Sequence, residues 1–323
     1  NGGEHGEKSH GSYCSRPVLT NSLRRDRLWS MRFLYAIILL AGVLPAQYYV
    51  ASTIAGNGQL PPPASGSTAL NTRLVNPRYV ATSPGGKTYF SDLYYNQIYE
   101  ITAAGTIELV AGAGRQGFSG DNGPTTAALL DSPGAMVVDN AGNLVFSDFS
   151  NGRIRRITAA GVISTLAPIS GVTGLAYDSA GNLYFSVATQ HTVRRLTPTG
   201  ANTIFAGTGT AGFSGDGGAA DSAALSGPNG LRFDSDGNLY IADTQNNRIR
   251  RVTPAGVIST VVGDGVARST GDNGPAIAAS IIQPIDIALD AANNLFVSDS
   301  SAGRIRLVNR EGNITALAGG GRL

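Results

Sequence analysis

Three aspartates, Asp148, Asp243 and Asp299, are each followed five residues later by an arginine: Arg153, Arg248 and Arg304. Across one tight turn, a carboxylate and a guanidinium at that spacing can join through two charge-assisted hydrogen bonds. Such a pair could be catalytic, but the rest of the chain favours a structural use. Where the aspartate is Asp92 the arginine's place holds Gln97, and where Val187 replaces the aspartate Thr192 replaces the arginine. The pair is therefore read as a turn cap. Arg155, Arg156, Arg194, Arg195, Arg250, Arg251 and Arg306 recur just beyond. They could form a basic band for a polyanion, but the preferred reading has their stems covering strands and their heads in water.

Histidine and cysteine offer little chemistry. His191 is the only histidine beyond residue 10 and Cys14 the only cysteine, so the usual transition-metal ligand sets cannot be assembled. His191 stands in the column of Asn96, Gly152, Asn247 and Gly303, a turn position that suits a left-handed backbone. Neither a metal nor a cofactor is expected.

The elements that position these residues repeat along the chain. Aligned on Pro77, Pro133, Val172, Pro228 and Pro284, the copies are spaced by 56, 39, 56 and 56 residues. Each copy reads as four short strands, as in Gly-Leu-Arg-Phe (230–233), Leu-Tyr-Ile-Ala (239–242), Arg-Ile-Arg-Arg-Val (248–252) and Val-Ile-Ser-Thr-Val (257–261). Period-two alternation between Gly/Asn turns predicts strands, and repetition at this length predicts a propeller. Gly112, Gly207 and Gly263 each stand 21 residues before the next opening proline, as does Gly56. The segment 49–56 is accordingly read as an orphan fourth strand. The expectation is an all-β propeller of five complete four-stranded blades plus one strand of a sixth, with the remainder beyond residue 323.

Residues 1–30 are polar and unlike the repeats and are read as a non-native flank. Residues 31–46, a basic residue, an apolar run and small residues ending at Ala46, read as a signal peptide. The propeller is assigned to 47–323 and the protein to secretion, the periplasm or the cell surface, with no membrane contact after cleavage. Residues 1–46 hold six of the 24 Lys/Arg and three of the 22 Asp/Glu. What remains is nearly neutral, which argues against a nucleic-acid partner.

The repeats resemble NHL repeats, whose blades are similar to Pro-x-Gly-Val-Ala-Val-Asp, Gly-Asn-Leu-Tyr-Val-Ala-Asp and Asn-x-Arg-Ile-Arg. The resemblance covers about 77–319 and is closest over Pro228 to Gly263. The joins Gly-Phe-Ser-Gly-Asp-Asn-Gly-Pro (117–124), Gly-Phe-Ser-Gly-Asp-Gly-Gly (212–218) and Thr-Gly-Asp-Asn-Gly-Pro (270–275) resemble those of secreted bacterial NHL proteins. The resemblance implies a propeller that generally acts as a binding surface. The wider group it implies includes peptide-amidating lyases, streptogramin lyases and calcium-dependent lactonases.

Loops on a rigid scaffold are where binding residues concentrate. The long joins therefore supply candidate ligand contacts: Phe118, Asp121, Phe213, Asp216 and Asp272. An aspartate before Gly or Asn is also simply a good turn. Leu74, Leu130, Leu225 and Ile281 share one column and are expected to plug the joins onto the blades. At the central mouth, the starts of the inner strands offer Arg78, Thr173, Asn229 and Asp286. Calcium commonly takes several carboxylates, and only one acid is present there. The function expected is recognition of a protein, peptide or glycan on the loop-bearing face without catalysis. The alternative is a calcium-dependent lactonase-like hydrolase or lyase with its site at the mouth.

Overall fold

A computed structural model describes residues 62–319. The flank 1–30, the signal segment 31–46 and the strand expected at 49–56 lie outside the described residues. The described chain is all-β apart from short 3-10 turns, in five antiparallel sheets. No helix among these residues is long and apolar enough to cross a membrane, which says nothing of β-barrels.

Each sheet is one blade of four strands in sequence order, from inner to outer, and three of the five gain a fifth two-residue strand from a join at the outer edge. Blade one comprises Pro77–Thr82, Thr88–Asp92, Gln97–Ile101 and Thr106–Ala111. Blade two comprises Pro133–Val138, Leu144–Asp148, Arg153–Ile157 and Val162–Ala167. Blade three comprises Val172–Tyr177, Leu183–Val187, Thr192–Leu196 and Asn202–Ala206. Blade four comprises Pro228–Phe233, Leu239–Asp243, Arg248–Val252 and Ile258–Val262. Blade five comprises Pro284–Leu289, Leu295–Asp299, Arg304–Val308 and Asn313–Gly319.

The hairpin between the first two strands is set by side chains. Asp178 Oδ1 accepts the Asn182 amide at 2.8 Å, and Asn182 Nδ2 returns a bond to Asp178 Oδ2 at 2.7 Å. The pairs Asp139–Asn143, Asp234–Asn238 and Asp290–Asn294 repeat it. This Asx closure fixes the turn, and the turn fixes the strand register.

Inner strands of consecutive blades pack on one another from the first blade to the fifth; among the described residues no comparable seam joins the fifth to the first. The long joins cover the outer edge of the blade that follows them. Gly123–Pro124 pairs with the outer strand of blade two, and Gly274–Pro275 does so in blade five. Ser67–Thr68 covers blade one and the bridge Ala219–Val257 covers blade four. Each join then turns inward. Ala128 and Leu130, Ala223 and Leu225, and Ala279 and Ile281 are fully buried between the blade before and the blade after. The leucine column thus plugs seams between blades.

Candidate functional site

Arg155 is fully buried and gathers four oxygens. Its Nη2 donates to Asp121 Oδ1 at 2.7 Å and to the Ser119 carbonyl at 3.0 Å; its Nη1 donates to the Leu129 carbonyl at 3.1 Å and to Asp148 Oδ2 at 3.4 Å. Arg250 repeats this with Asp216 at 2.8 Å and Asp243 at 3.3 Å. Arg306 stands 2.8 Å from Asp272 and donates to Asp299 at 3.4 Å. One guanidinium therefore ties a join carboxylate to a blade carboxylate.

This corrects the turn pairs read from the sequence. Asp148 and Arg153, Asp243 and Arg248, and Asp299 and Arg304 do face one another across the strands. The ion pair is nonetheless made by the arginine two residues further on. Arg153 instead donates to the Asn151 carbonyl at 2.7 Å and lies 3.8 Å from the Phe118 ring centre. Arg248 likewise lies 3.7 Å from the Phe213 ring, and Arg304 approaches Asp272 at 3.8 Å. The expectation that the third-strand arginines reach water fails for Arg155, Arg250 and Arg306, whose side chains are completely enclosed.

The join residues put forward as ligand contacts are engaged within the protein. Phe118 and Phe213 stack under arginines, and Asp121, Asp216 and Asp272 hold the buried guanidinium. Burial pulls the Asp121 carboxyl upward, but hydrogen bonds from Thr165 and Arg155 and the Arg155 charge outweigh it and hold the group below its ordinary value. At Asp148 and Asp243 burial wins over the bonds they accept and pushes both carboxyls up. The arrangement is a clamp in which each of the three join carboxylates is paired with a buried guanidinium.

At the mouth, Thr173 Oγ1 donates to the Pro228 carbonyl of the next blade at 3.0 Å, and Asn229 Nδ2 donates to Thr244 Oγ1 at 2.9 Å. Asp286 lies 3.7 Å from Arg232, and the Arg78 guanidinium stands 6.0 Å from the Tyr79 ring. A lone carboxylate beside a cation is a poor donor set for calcium, which takes six to eight oxygens. Among the described residues no three His, Cys, Asp or Glu side chains are placed to share a metal ion.

A site that the residue columns did not suggest lies at the seam of blades two and three. The join there is only Pro168–Gly171, so it brings no outer cover, and in place of a fully buried plug it offers only Ile169, partly buried against the cluster of Leu183 and Leu196. In the other seams the plug packs on a conserved geometric set: Leu144, Ile157 and Ile163 around Leu130, and Leu239, Val252 and Ile258 around Leu225. The corresponding residues of blade three, Leu183, Leu196 and Asn202, line an open groove of about 650 Å³ together with Ala167 of blade two. The matching groove between blades four and five, where a plug is present, measures about 250 Å³.

The groove is lined by both apolar and polar side chains. Leu166, Pro168 and Ile169 line it from the blade-two side, and Arg156, Tyr177, Asp139 and Asp178 contribute polar atoms. Asp178 is committed to its hairpin, whereas Arg156 Nε has no hydrogen-bond partner. Burial pushes the Tyr177 hydroxyl up to about 12, with Asp139 raising it further and Arg156 opposing. Tyr177 therefore remains a neutral donor near neutral pH. The signal for this site in the sequence was the 39-residue interval among intervals of 56.

Five four-stranded blades with clasping joins define a β-propeller. Residues 191–270 match the family model of the Teneurin NHL domain. Human Teneurin-4 is 28% identical over 286 residues, covering 72% of this chain and 10% of the relative, so the chain spans about a tenth of that protein. Among solved structures, an auxiliary nutrient binding protein from Bacteroides ovatus superposes with a TM-score of 0.58 at 18% identity, covering 76% of this chain and 60% of its own. A gluconolactonase from Xanthomonas campestris superposes with a TM-score of 0.51 at 18% identity, covering 85% and 88%. These structural likenesses carry the fold.

Proposed function

We propose that this protein is a secreted or periplasmic binding propeller that recognises a protein, peptide or glycan without catalysis, at the seam of blades two and three. The observation that carries the reading is the groove of about 650 Å³ opened by the short join. A concave, largely apolar site with a few convergent polar groups is the ordinary form of a ligand pocket. Tyr177 and Arg156 supply those groups here. A nutrient-binding protein among the similar folds is compatible with this reading. Lactonase-like chemistry receives less support, because at the mouth Asp286 stands beside Arg232 and among the described residues no three acidic or metal-ligating side chains come together.

The test fills the groove. Replacing Pro168–Gly171 with the join between blades three and four would supply the missing plug without altering any blade. Peptide and oligosaccharide arrays probed with both proteins should give ligands that the filled variant no longer holds. Ligands retained by the filled variant would place recognition elsewhere, and an array without ligands would count against the binding reading.

A further inference from the structure

The chain carries its own examples of what belongs at the seam of blades two and three. In blades two, four and five the third-strand arginine is covered by a join whose aspartate forms an ion pair with Nη2 and whose backbone pairs with the outer strand. In each of these blades the arginine Nε is left without a partner. Arg194 occupies the same column in blade three, with the opposite pattern: its Nε donates to Asn202 Oδ1 at 2.9 Å, and among the described residues no carboxylate pairs with it. The blade's own aspartate is also missing there, its place taken by Val187. The two nitrogens that the other blades use for carboxylates are thus the two left over.

The backbone edge matches. The carbonyl of Ile163 accepts the Asn122 amide at 2.7 Å, that of Ile258 accepts Gly217 at 2.8 Å and that of Ile314 accepts Asn273 at 2.7 Å. Asn202 holds this position in blade three, and no join reaches its strand. Asn202, Thr203 and Ile204 are exposed, Ile204 by 45%. A polar Asn202 in place of a buried isoleucine keeps the empty edge compatible with water.

From these three coincident vacancies, resting on the binding reading above, we infer that the seam of blades two and three takes an extended acidic peptide that repeats in trans what the joins do in cis. The carboxylate sits on Nη1 and Nη2 of Arg194, two or three residues pair with the outer strand Asn202–Ala206, and a following Ala-x-Leu enters the groove. Addition of a strand to a free edge is an established mode of peptide recognition, with the backbone giving affinity and the side chains selectivity. Charge complementarity selects the peptide over a neutral glycan.

The probe is a capped synthetic peptide with the sequence of residues 212–225, Gly-Phe-Ser-Gly-Asp-Gly-Gly-Ala-Ala-Asp-Ser-Ala-Ala-Leu, titrated into the full chain. Tethered joins act at a high effective concentration, so the free peptide is expected to bind weakly and to leave them in place. Changing the first peptide Asp to Asn, or the protein by Arg194→Met, should each weaken binding roughly tenfold to a hundredfold. Combining the two should cost little more than either alone. An affinity indifferent to Arg194→Met, or a neutral oligosaccharide that displaces the peptide, would overturn the inference. If array ligands are lost on filling the groove while this peptide never binds, the binding reading survives and the acidic-peptide assignment fails.

Discussion

His191 Nδ1 accepts the Gly227 amide at 3.1 Å, bridging the turn of blade three to the start of blade four. Asn96 Oδ1 does the same for the Ser132 amide at 2.8 Å, and Asn247 Oδ1 for the Gln283 amide at 2.9 Å. All three residues are left-handed, with φ of +54°, +51° and +53°. The imidazole is thus a stand-in for an asparagine side chain. His191→Asn should leave stability within about 0.5 kcal/mol. His191→Ala loses the acceptor and should cost about 1 kcal/mol or more. Urea unfolding of the two variants distinguishes these outcomes.

The buried guanidinium of Arg250 should be among the most sensitive points of blade four. Arg250→Met leaves the enclosed Asp243 without its cation, which should cost roughly 3–5 kcal/mol. A double-mutant cycle of Asp243 with Arg250 should return a coupling of about 0.5–3 kcal/mol. The same cycle with Arg248, which faces Asp243 across the strands, should return little. Equal coupling in both cycles would mean that the pairing is not selective.

Acid should loosen the join of blade two. The folded value of Asp121 is lowered, so this carboxylate contributes stability above its unfolded value, about 3.9, and that contribution is lost as pH falls through the lower folded value. Asp148 and Asp243 have the opposite sign, their raised values favouring the fold at low pH and losing that contribution as pH rises from the unfolded value through the folded one. The stability difference between the wild type and Asp121→Asn should therefore be full at neutral pH and shrink on acidification below about 4. Chemical unfolding at several pH values provides the check.

Leu225 is fully enclosed between blades three and four. Leu225→Ala should cost about 2–5 kcal/mol, because the seam keeps the cavity the side chain leaves. Leu183 is also buried but borders the groove of blades two and three, so part of the space left by Leu183→Ala opens to solvent and the change should cost less. Thermal unfolding of both variants compares them directly.

The blades were legible because the period-two alternation and Asx turns that make them are local, each contained within about ten residues. Asp148 and Arg153 illustrate where locality runs out. Hairpin spacing gives the facing residue, but the long side chain of Arg155 reaches back diagonally to the carboxylate while Arg153 is drawn to Asn151 and Phe118. What encloses Arg155 is the join, through Ser119 and Asp121, more than thirty residues earlier. The co-occurrence of a Gly-Asp join with an arginine seven residues after the blade aspartate was present in three copies. It could have revealed the clamp. The groove was hidden because it comes from residues the chain lacks, and only the spacing recorded them.

Each join comes before the blade it clasps. On a ribosome, Gly123–Pro124 is made well ahead of Val162–Ala167, the outer strand it will cover. Because the clasp lies earlier in the chain than the edge it covers, it is within reach when the last strand of its blade docks, wherever folding takes place. A folding blade can close on that waiting segment without exposing a finished edge to other chains. Blade three has no such segment, and its outer strand Asn202–Ala206 is left uncovered.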